Sequence, residues 1–225
     1  TEQTVRDNIR TRGGRRVFYL GKGDQLTASA RDFLTRERIE ILPASQAKPE
    51  RFRLLSGGFL EEKPEHMTHL HSDILVPKSH PRIQFRGKLD SLEAELLFAI
   101  AELPVLAEPL GELLTLTRKI LRCEVLDETL PPQNLGGLNT EELRSHFPQE
   151  YYGQPHFMPQ PSDGRTILTL NRLRCAIRET ELFAAAAFPP KQGQPVRTDI
   201  QRALNRMSSF CYILMIREKA GNSNQ

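Results

Sequence analysis

The stretch from Arg165 to Phe188 constrains this chain most. It holds no glycine or proline and closes on the alanine run Ala184–Ala187, so it reads as a helix. Residues three, four and seven apart share a helix face. Leu170, Leu173, Ile177 and Ala184 therefore form an apolar stripe, with Arg174, Arg178 and Glu181 in a charged stripe beside it. Two arginines next to a buried face, oriented by one acid, suit a chain of phosphates. Guanidinium groups keep their charge and fork onto phosphate oxygens. The same pattern describes a solvated face with i,i+4 ion pairs, and spacing alone leaves both readings open.

Other helices follow from the same periodicity. One runs from about Ile83 to Leu103 with Leu89, Leu92, Leu96, Leu97 and Ile100 inward. A second runs from about Pro109 to Asp127 with Leu113, Leu116, Ile120 and Val125 inward. A short one spans Asn139 to Phe147, with Asn139 as N-cap and Glu142 three residues on. The last runs from a Thr198–Gln201 capping box to about Glu218, burying Ile200, Ala203, Leu204, Met207, Cys211, Leu214 and Met215. The fold class is thus mainly α, a five-helix bundle over residues 63–218 with a frayed tail over 219–225. Residues 1–62 read as a small N-terminal extension and linker. It has a strand at Arg16–Leu20, a turn at Gly21–Asp24, a helix at Leu26–Arg38 and a strand at Ile39–Leu42. Gly21-Lys22-Gly23-Asp24 lacks phosphate-loop spacing and reads as a plain turn. Residues 43–65, with Pro43, Pro49, Gly57, Gly58 and Pro64, read as a linker or mobile loop.

His66, His69 and His71 form either a metal tract or a set of surface loop histidines. Pro148 to Gly164 reads as a long functional loop, because it carries Tyr151, Tyr152, Phe157 and Met158. Cys123, Cys175 and Cys211 fall inside helical patterns and read as buried small hydrophobes in a reducing compartment. No apolar run reaches the ~20 residues that span a bilayer, and no secretory signal is evident, so a cytoplasmic protein is expected. A net charge of +3 permits anionic ligands but speaks against a nucleic-acid binder.

Three segments in order carry a resemblance. The first comprises Thr68-His-Leu70, Val76-Pro-Lys78-x-x-x-Arg82 and Gly87-Lys-Leu-Asp90-Ser-Leu92. The second is Arg174-x-x-x-Arg178-x-x-Glu181, and the third is Leu204-Asn-Arg-Met-Ser208. Together they resemble the ATP:corrinoid adenosyltransferases of the PduO type. Leu26-Thr-Ala-Ser-Ala-Arg31 and Arg178-Glu-Thr-Glu181 are most similar to the ethanolamine-utilisation branch. The resemblance implies a five-helix bundle assembled as a homotrimer (or dimer), with ATP and cobalamin at subunit interfaces. It implies transfer of the 5′-deoxyadenosyl group of ATP to the cobalt of reduced cobalamin, with release of triphosphate. The product would serve a B12-dependent acceptor enzyme of the ethanolamine ammonia-lyase type.

By motif, the resemblance assigns ATP with its Mg²⁺ to Lys78, Arg178 and Asn205, with Thr68 and Arg82 as further contacts. Arg174 and Asp90 would be a salt-bridged pair tying two subunits, and Glu181 would orient the arginines or the metal-triphosphate. Phe157 would strip the lower axial ligand from the corrinoid. The chain departs from the family in two places. The glycine-rich N-terminal phosphate loop is not evident. The paired-cysteine metal motif ahead of Thr68 has no counterpart, since no Cys precedes Cys123, so metal ligands and any iron or zinc requirement stay unassigned. These departures leave a second expectation open, a non-catalytic cobalamin or ATP carrier or sensor associated with a bacterial microcompartment.

Overall fold

The computed structural model describes residues 1–47, 52–145 and 155–223, with side chains to residue 221. The chain divides into two units, Thr1–His80 and Pro81–Gln225. In the first, helix α1 (Glu2–Asp7) precedes strands β1 (Arg10–Arg12) and β2 (Arg15–Leu20), which pair antiparallel. Gly13 and Gly14 join them with φ of +56° and +77°, a conformation that a two-residue hairpin demands and that a Cβ resists. Helix α2 (Ala28–Arg36) then carries the chain to β3 (Glu40–Pro43), parallel to β2. Thr27 caps α2, its hydroxyl accepting the Ala30 N–H at 3.3 Å. Ala30, Phe33 and Leu34 pack on Phe18 with Val5 and Ile39.

Beyond β3 the sequence expectation fails. The stretch taken for a linker contains β4 (Phe52–Leu54) and β5 (Phe59–Leu60), antiparallel to each other on either side of Gly57 and Gly58. Strands β6 (Met67–His71) and β7 (Ile74–Pro77) complete a seven-stranded sheet of order β3-β2-β1-β5-β4-β7-β6. Strands of two or three residues offer no periodicity to read, so their prolines and glycines dominate the local pattern. Here Leu60, Met67 and Leu75 bury a second small core with Phe52 and Leu54 against it. The first unit accordingly runs to His80. Residues 48–51 of the expected linker lie outside the described residues.

The second unit is helical: α3 (Pro81–Glu102), α4 (Ala107–Val125), short α5 (Thr140–Ser145), α6 (Gly164–Ala187) and α7 (Thr198–Ser223). Pro81 opens α3, where its fixed φ suits a first turn. The capping box before α5 forms as the sequence suggests. Asn139 Oδ1 accepts the Glu142 N–H at 3.0 Å, and Glu142 Oε2 accepts the Asn139 N–H at 2.7 Å. The Thr198–Gln201 box does not; α7 includes Thr198, and the Gln201 N–H goes to the Arg197 carbonyl at 3.2 Å. The helix also runs past Glu218 to Ser223. No helix among the described residues is long and apolar enough to cross a membrane.

The core follows the expected stripes closely on α6 and α7. Leu170, Leu173, Ile177, Ala184, Ile200, Leu204, Met207 and Cys211 are buried. Leu97 and Val125 are exposed instead, at 47% and 37%, because they sit at the margins of their stripes. Cys175 is also exposed, in contrast to buried Cys123 and Cys211. Gly136 has φ +57°, and a Cβ there would stand 2.5 Å from the Phe210 ring, so the turn it makes closes directly on the core.

Asp199 fastens the chain after α4 to the start of α7. It accepts the Leu130 N–H at 2.8 Å and two bonds from Arg197, at 3.1 and 3.0 Å. Burial pushes its carboxyl up, but the Arg197 and Leu130 hydrogen bonds outweigh burial and hold it below its ordinary value. A lowered folded pKa stabilises above the unfolded value, about 3.9, and that contribution is lost as pH falls through the folded one. Asp199→Asn is therefore expected to lose stability in urea at pH 7. The gap to wild type should shrink below about pH 4. An unchanged gap at low pH would refute the assignment.

Candidate functional site

Helices α6 and α7 run antiparallel, and their contacts set out a groove. Asn205 Nδ2 of α7 donates to Glu181 Oε1 of α6 at 3.4 Å. The Arg174 guanidinium lies 5.7 Å from the centre of the Tyr212 ring. Both steps are seven residues, so 174 pairs with 212 as 181 pairs with 205, about 10 Å apart along each helix. Arg178 falls midway, opposite Ser208. Arg178, Glu181, Asn205 and Ser208 share an open cavity of about 370 Å³ with Gln201 and the apolar Leu182 and Ala185. Arg178 and Glu181 of the charged stripe thus share one pocket with Asn205 of the polar edge, whereas Arg174, Arg206 and Ser209 do not line it.

The cations of α6 are not equivalent. Arg172 pairs with Glu95 of α3 at 2.7 Å, and Arg165 with Glu102. Those are surface ion pairs of small energetic weight. Arg174 is half-buried, donating to Asn171 Oδ1 at 3.4 Å and lying against Tyr212. Arg178 is exposed and makes no hydrogen bond or ion pair among the described residues. Its five donors are free for a ligand. Asn205 is held in place on its other side, since Arg206 NH1 donates to Asn205 Oδ1 at 2.6 Å.

At the Arg174 end, Tyr212 anchors the segment that leads into α6. Its hydroxyl accepts the Phe157 N–H at 3.0 Å and lies 3.2 Å from the Phe157 carbonyl, to which it donates. The Phe157 ring stacks on Tyr212 with centres 6.0 Å apart, and Lys219 covers it at 5.6 Å. Lys219 is itself paired with Asp163. Tyr151 and Tyr152 of this loop lie outside the described residues. Cys211 sits fully buried next to this cluster. Burial pushes its thiol up to about 12 despite the nearby Arg174, so it stays neutral and is no nucleophile. The groove holds a cation, the Glu181 carboxylate, amides and a hydroxyl, and no hydrogen-bonded base–nucleophile pair among the described residues. It is built to bind and position an anion, not to activate a side chain.

The remaining expected residues are placed as follows. Asp90, on α3, is exposed and makes no ion pair within the chain among the described residues. It does not pair with Arg174 inside one copy. Arg82 is engaged by structure: its Nε meets Glu124 Oε1 at 2.5 Å and its NH2 donates to the Glu124 carbonyl at 2.7 Å. Arg86 takes the other Glu124 oxygen. A fully buried carboxylate thus engages Arg82 within one copy, whereas its reading as a nucleotide contact rests on the resemblance.

Lys78 and Thr68 belong to the first unit. Lys78 follows β7, exposed, with its N–H on the His66 carbonyl at 2.9 Å. Thr68 pairs with Val76 on β6. His69 and His71 are on β6 and His66 is in the turn before it, all three exposed, and a bulge separates His69 from His71. Among the described residues no group of three or more His, Cys, Asp or Glu side chains could hold a metal ion. Sequence reasoning passed over Gln201, Ser208 and Tyr212 as site residues. The signal was available, because each lies four, three or seven residues from Asn205 on a helix.

Residues 59–218 match the family described as cobalamin adenosyltransferase. The chain is similar to the corrinoid adenosyltransferase EutT of Salmonella typhimurium (strain LT2), at 34% identity over 96% of this chain and 90% of that protein. It is 33% identical, over the same shares, to the corrinoid adenosyltransferase EutT of Escherichia coli K12.

Proposed function

This chain belongs to the cobalamin adenosyltransferase family, and on that premise we propose that it transfers the 5′-deoxyadenosyl group of ATP to the cobalt of reduced cobalamin. The cobalt supplies the electron pair for the new cobalt–carbon bond. The C5′–oxygen bond breaks, and its pair leaves with triphosphate. Reduced cobalt is a strong nucleophile without help, so the protein contributes position and charge. One observation carries the reading: Arg178, without a hydrogen bond or ion pair among the described residues, opens into the same pocket as Glu181, Asn205 and Ser208.

In this reading Arg178 and Asn205 hold the phosphates, and Glu181 fixes the Asn205 amide. Positioning the two reactants together accounts for up to about 7–11 kcal/mol of barrier lowering. Phe157, held by Tyr212 at the end of the groove, is the side chain we assign to the corrinoid's lower face. Mg²⁺ enters with ATP as part of the substrate. Among the described residues no cluster of His, Cys, Asp or Glu fits a protein-held iron or zinc ion, so no step is assigned to one. Lys78 and Thr68 remain phosphate contacts on the resemblance alone, which Lys78→Ala and its KM for ATP check.

Asp90, exposed and without an ion pair among the described residues, is assigned to Arg174 of a second copy in a homo-oligomer. The product then feeds a B12-dependent ethanolamine-utilisation enzyme. The test has two arms. Chemically reduced cobalamin and ATP are mixed with the protein, and loss of the cob(I)alamin absorbance with triphosphate release is expected. Binding without conversion would replace the enzyme by a carrier. In the second arm, Asp90→Ala is expected to sediment as a smaller species than wild type, and an identical sedimentation coefficient would remove the subunit role.

A further inference from the structure

On another face of α7 from the substrate groove lies a second cavity, of about 220 Å³. Its apolar walls are Leu116 of α4, then Leu130, Pro131, Pro132 and Leu135 of the following segment. Thr129, Gln133 and Thr140 are neutral polar neighbours, and its cations, Arg202 and Arg206, come from α7. Asp199 also lines it, but both of its oxygens are taken by Arg197 and the Leu130 N–H. Arg202 is exposed and makes no hydrogen bond or ion pair among the described residues. Arg206 gives its Nε to the Thr140 carbonyl at 2.9 Å and its NH1 to Asn205 Oδ1 at 2.6 Å. Neither partner is a carboxylate.

Arg144 of α5 adds a third charge. Burial pushes the Arg206 guanidinium down, and so do the like charges of Arg144 and Arg202; Glu141 and Glu181 act the other way. Arg144, like Arg202, is exposed and has no partner among the described residues. Three guanidinium groups therefore share one neighbourhood with Glu141, and none of the three has an ion pair among the described residues. An anion relieves that repulsion, and guanidinium forks are suited to phosphate or carboxylate oxygens. The adjoining apolar walls then take an organic body of modest size.

We propose that this cavity is a binding site for a small organic anion, its charged group on Arg202 and Arg206, with the Arg144 charge nearby, and its apolar part against Leu116, Leu130 and the two prolines. The site is distinct from the groove that holds Arg178, since the two are lined by different residues of the same turns of α7. Arg206 links them. Its NH1 holds Asn205, and Asn205 holds Glu181. An anion that draws on Arg206 changes how firmly Asn205 is held, and so changes the affinity for ATP. That coupling rests on the function proposed above; the binding itself does not.

Phenyl phosphate is the probe, with benzylamine as its cationic counterpart, titrated calorimetrically into the full chain. Saturable phenyl phosphate binding is expected in wild type and in Arg178→Ala. In Arg144→Ser/Arg202→Ser the affinity should fall about tenfold or more, from loss of charge-assisted hydrogen bonds. Both substituted arginines are exposed, and circular dichroism confirms that the variant is folded; Arg202→Ser alone serves where it is not. Absence of saturable binding in wild type overturns the site. Binding lost in Arg178→Ala but kept in the double variant would move the anion to the substrate groove. Equal affinity for benzylamine would reduce the site to an apolar cleft. Finally, phenyl phosphate should shift the KM for ATP in wild type and not in the double variant. Binding without that shift overturns the coupling, whereas a protein inactive under all conditions overturns the proposed reaction and leaves the calorimetry standing.

Discussion

Arg178→Ala is expected to lower kcat/KM for ATP by about 10²–10³-fold, the usual cost of removing one fixed donor to developing charge. Stability should stay within about 0.5 kcal/mol of wild type. Both halves follow from the same observation. The side chain is exposed and touches no other described side chain through a hydrogen bond or ion pair, so folding gains nothing from it. Yet it opens into the pocket with Glu181, Asn205 and Ser208. A cation that the fold does not use is available to charge that arrives from outside. In the proposed reaction that charge grows on the leaving triphosphate, so the loss should fall on kcat as well as KM. Arg178→Lys keeps the charge but loses the planar fork, and an intermediate rate is expected. Arg172→Ala is the control on the same helix, because Arg172 is occupied by Glu95 on the surface. Wild-type kinetics in Arg178→Ala, or equal losses in both variants, would sink the assignment.

The helical unit was legible because long elements repeat their signal. On α6 and α7 the stripe through Leu170, Ile177, Leu204 and Cys211 recurs over several turns, and burial follows it. Even small signals survive there; Asn139 and Glu142 form the capping box that their spacing suggests. Helix margins are less secure. Leu97 and Val125 fit the period but lie where the stripe meets solvent. The sheet of the first unit was legible only at β2 and β3. Its other strands are as short as two or three residues, and they earn burial from neighbours distant in sequence. Phe59 pairs with Arg10 and Arg53 with Ile74, relations that no local window contains.

The site was legible in its residue types and less so in their company. Arg178, Glu181 and Asn205 were chosen by spacing and resemblance, and the two helices bring them to one pocket. Tyr212 and Ser208 were missed, although they lie on the same helix face, because the resemblance assigned no role to either. Arg82 was chosen by the resemblance alone, and a buried acid stands opposite it. Nothing in the sequence marks Glu124 as buried, for it stands in a helix end that looks solvated.

Glu124 supports the largest expected change in stability. Its side chain is fully buried, and it faces two arginines that are each 16% exposed. Arg82 also lies 5.5 Å from the Phe188 ring, so the cluster ties the start of α3 to the ends of α4 and α6. Removing one partner of a buried ion pair leaves charge without compensation, typically a loss of about 3–5 kcal/mol. Glu124→Ala is expected to lose about that much in urea unfolding at pH 7. Glu124→Gln keeps the shape and one acceptor and should lose less. Replacing all three with apolar residues of similar volume should recover much of the loss, because desolvating the ions offsets most of their attraction. The same experiment separates the two readings of Arg82. As part of this cluster, Arg82→Ala lowers stability and leaves the KM for ATP within twofold or so of wild type. As a phosphate contact, it would raise that KM at unchanged stability, and the assignment of Arg82 to Glu124 would fail.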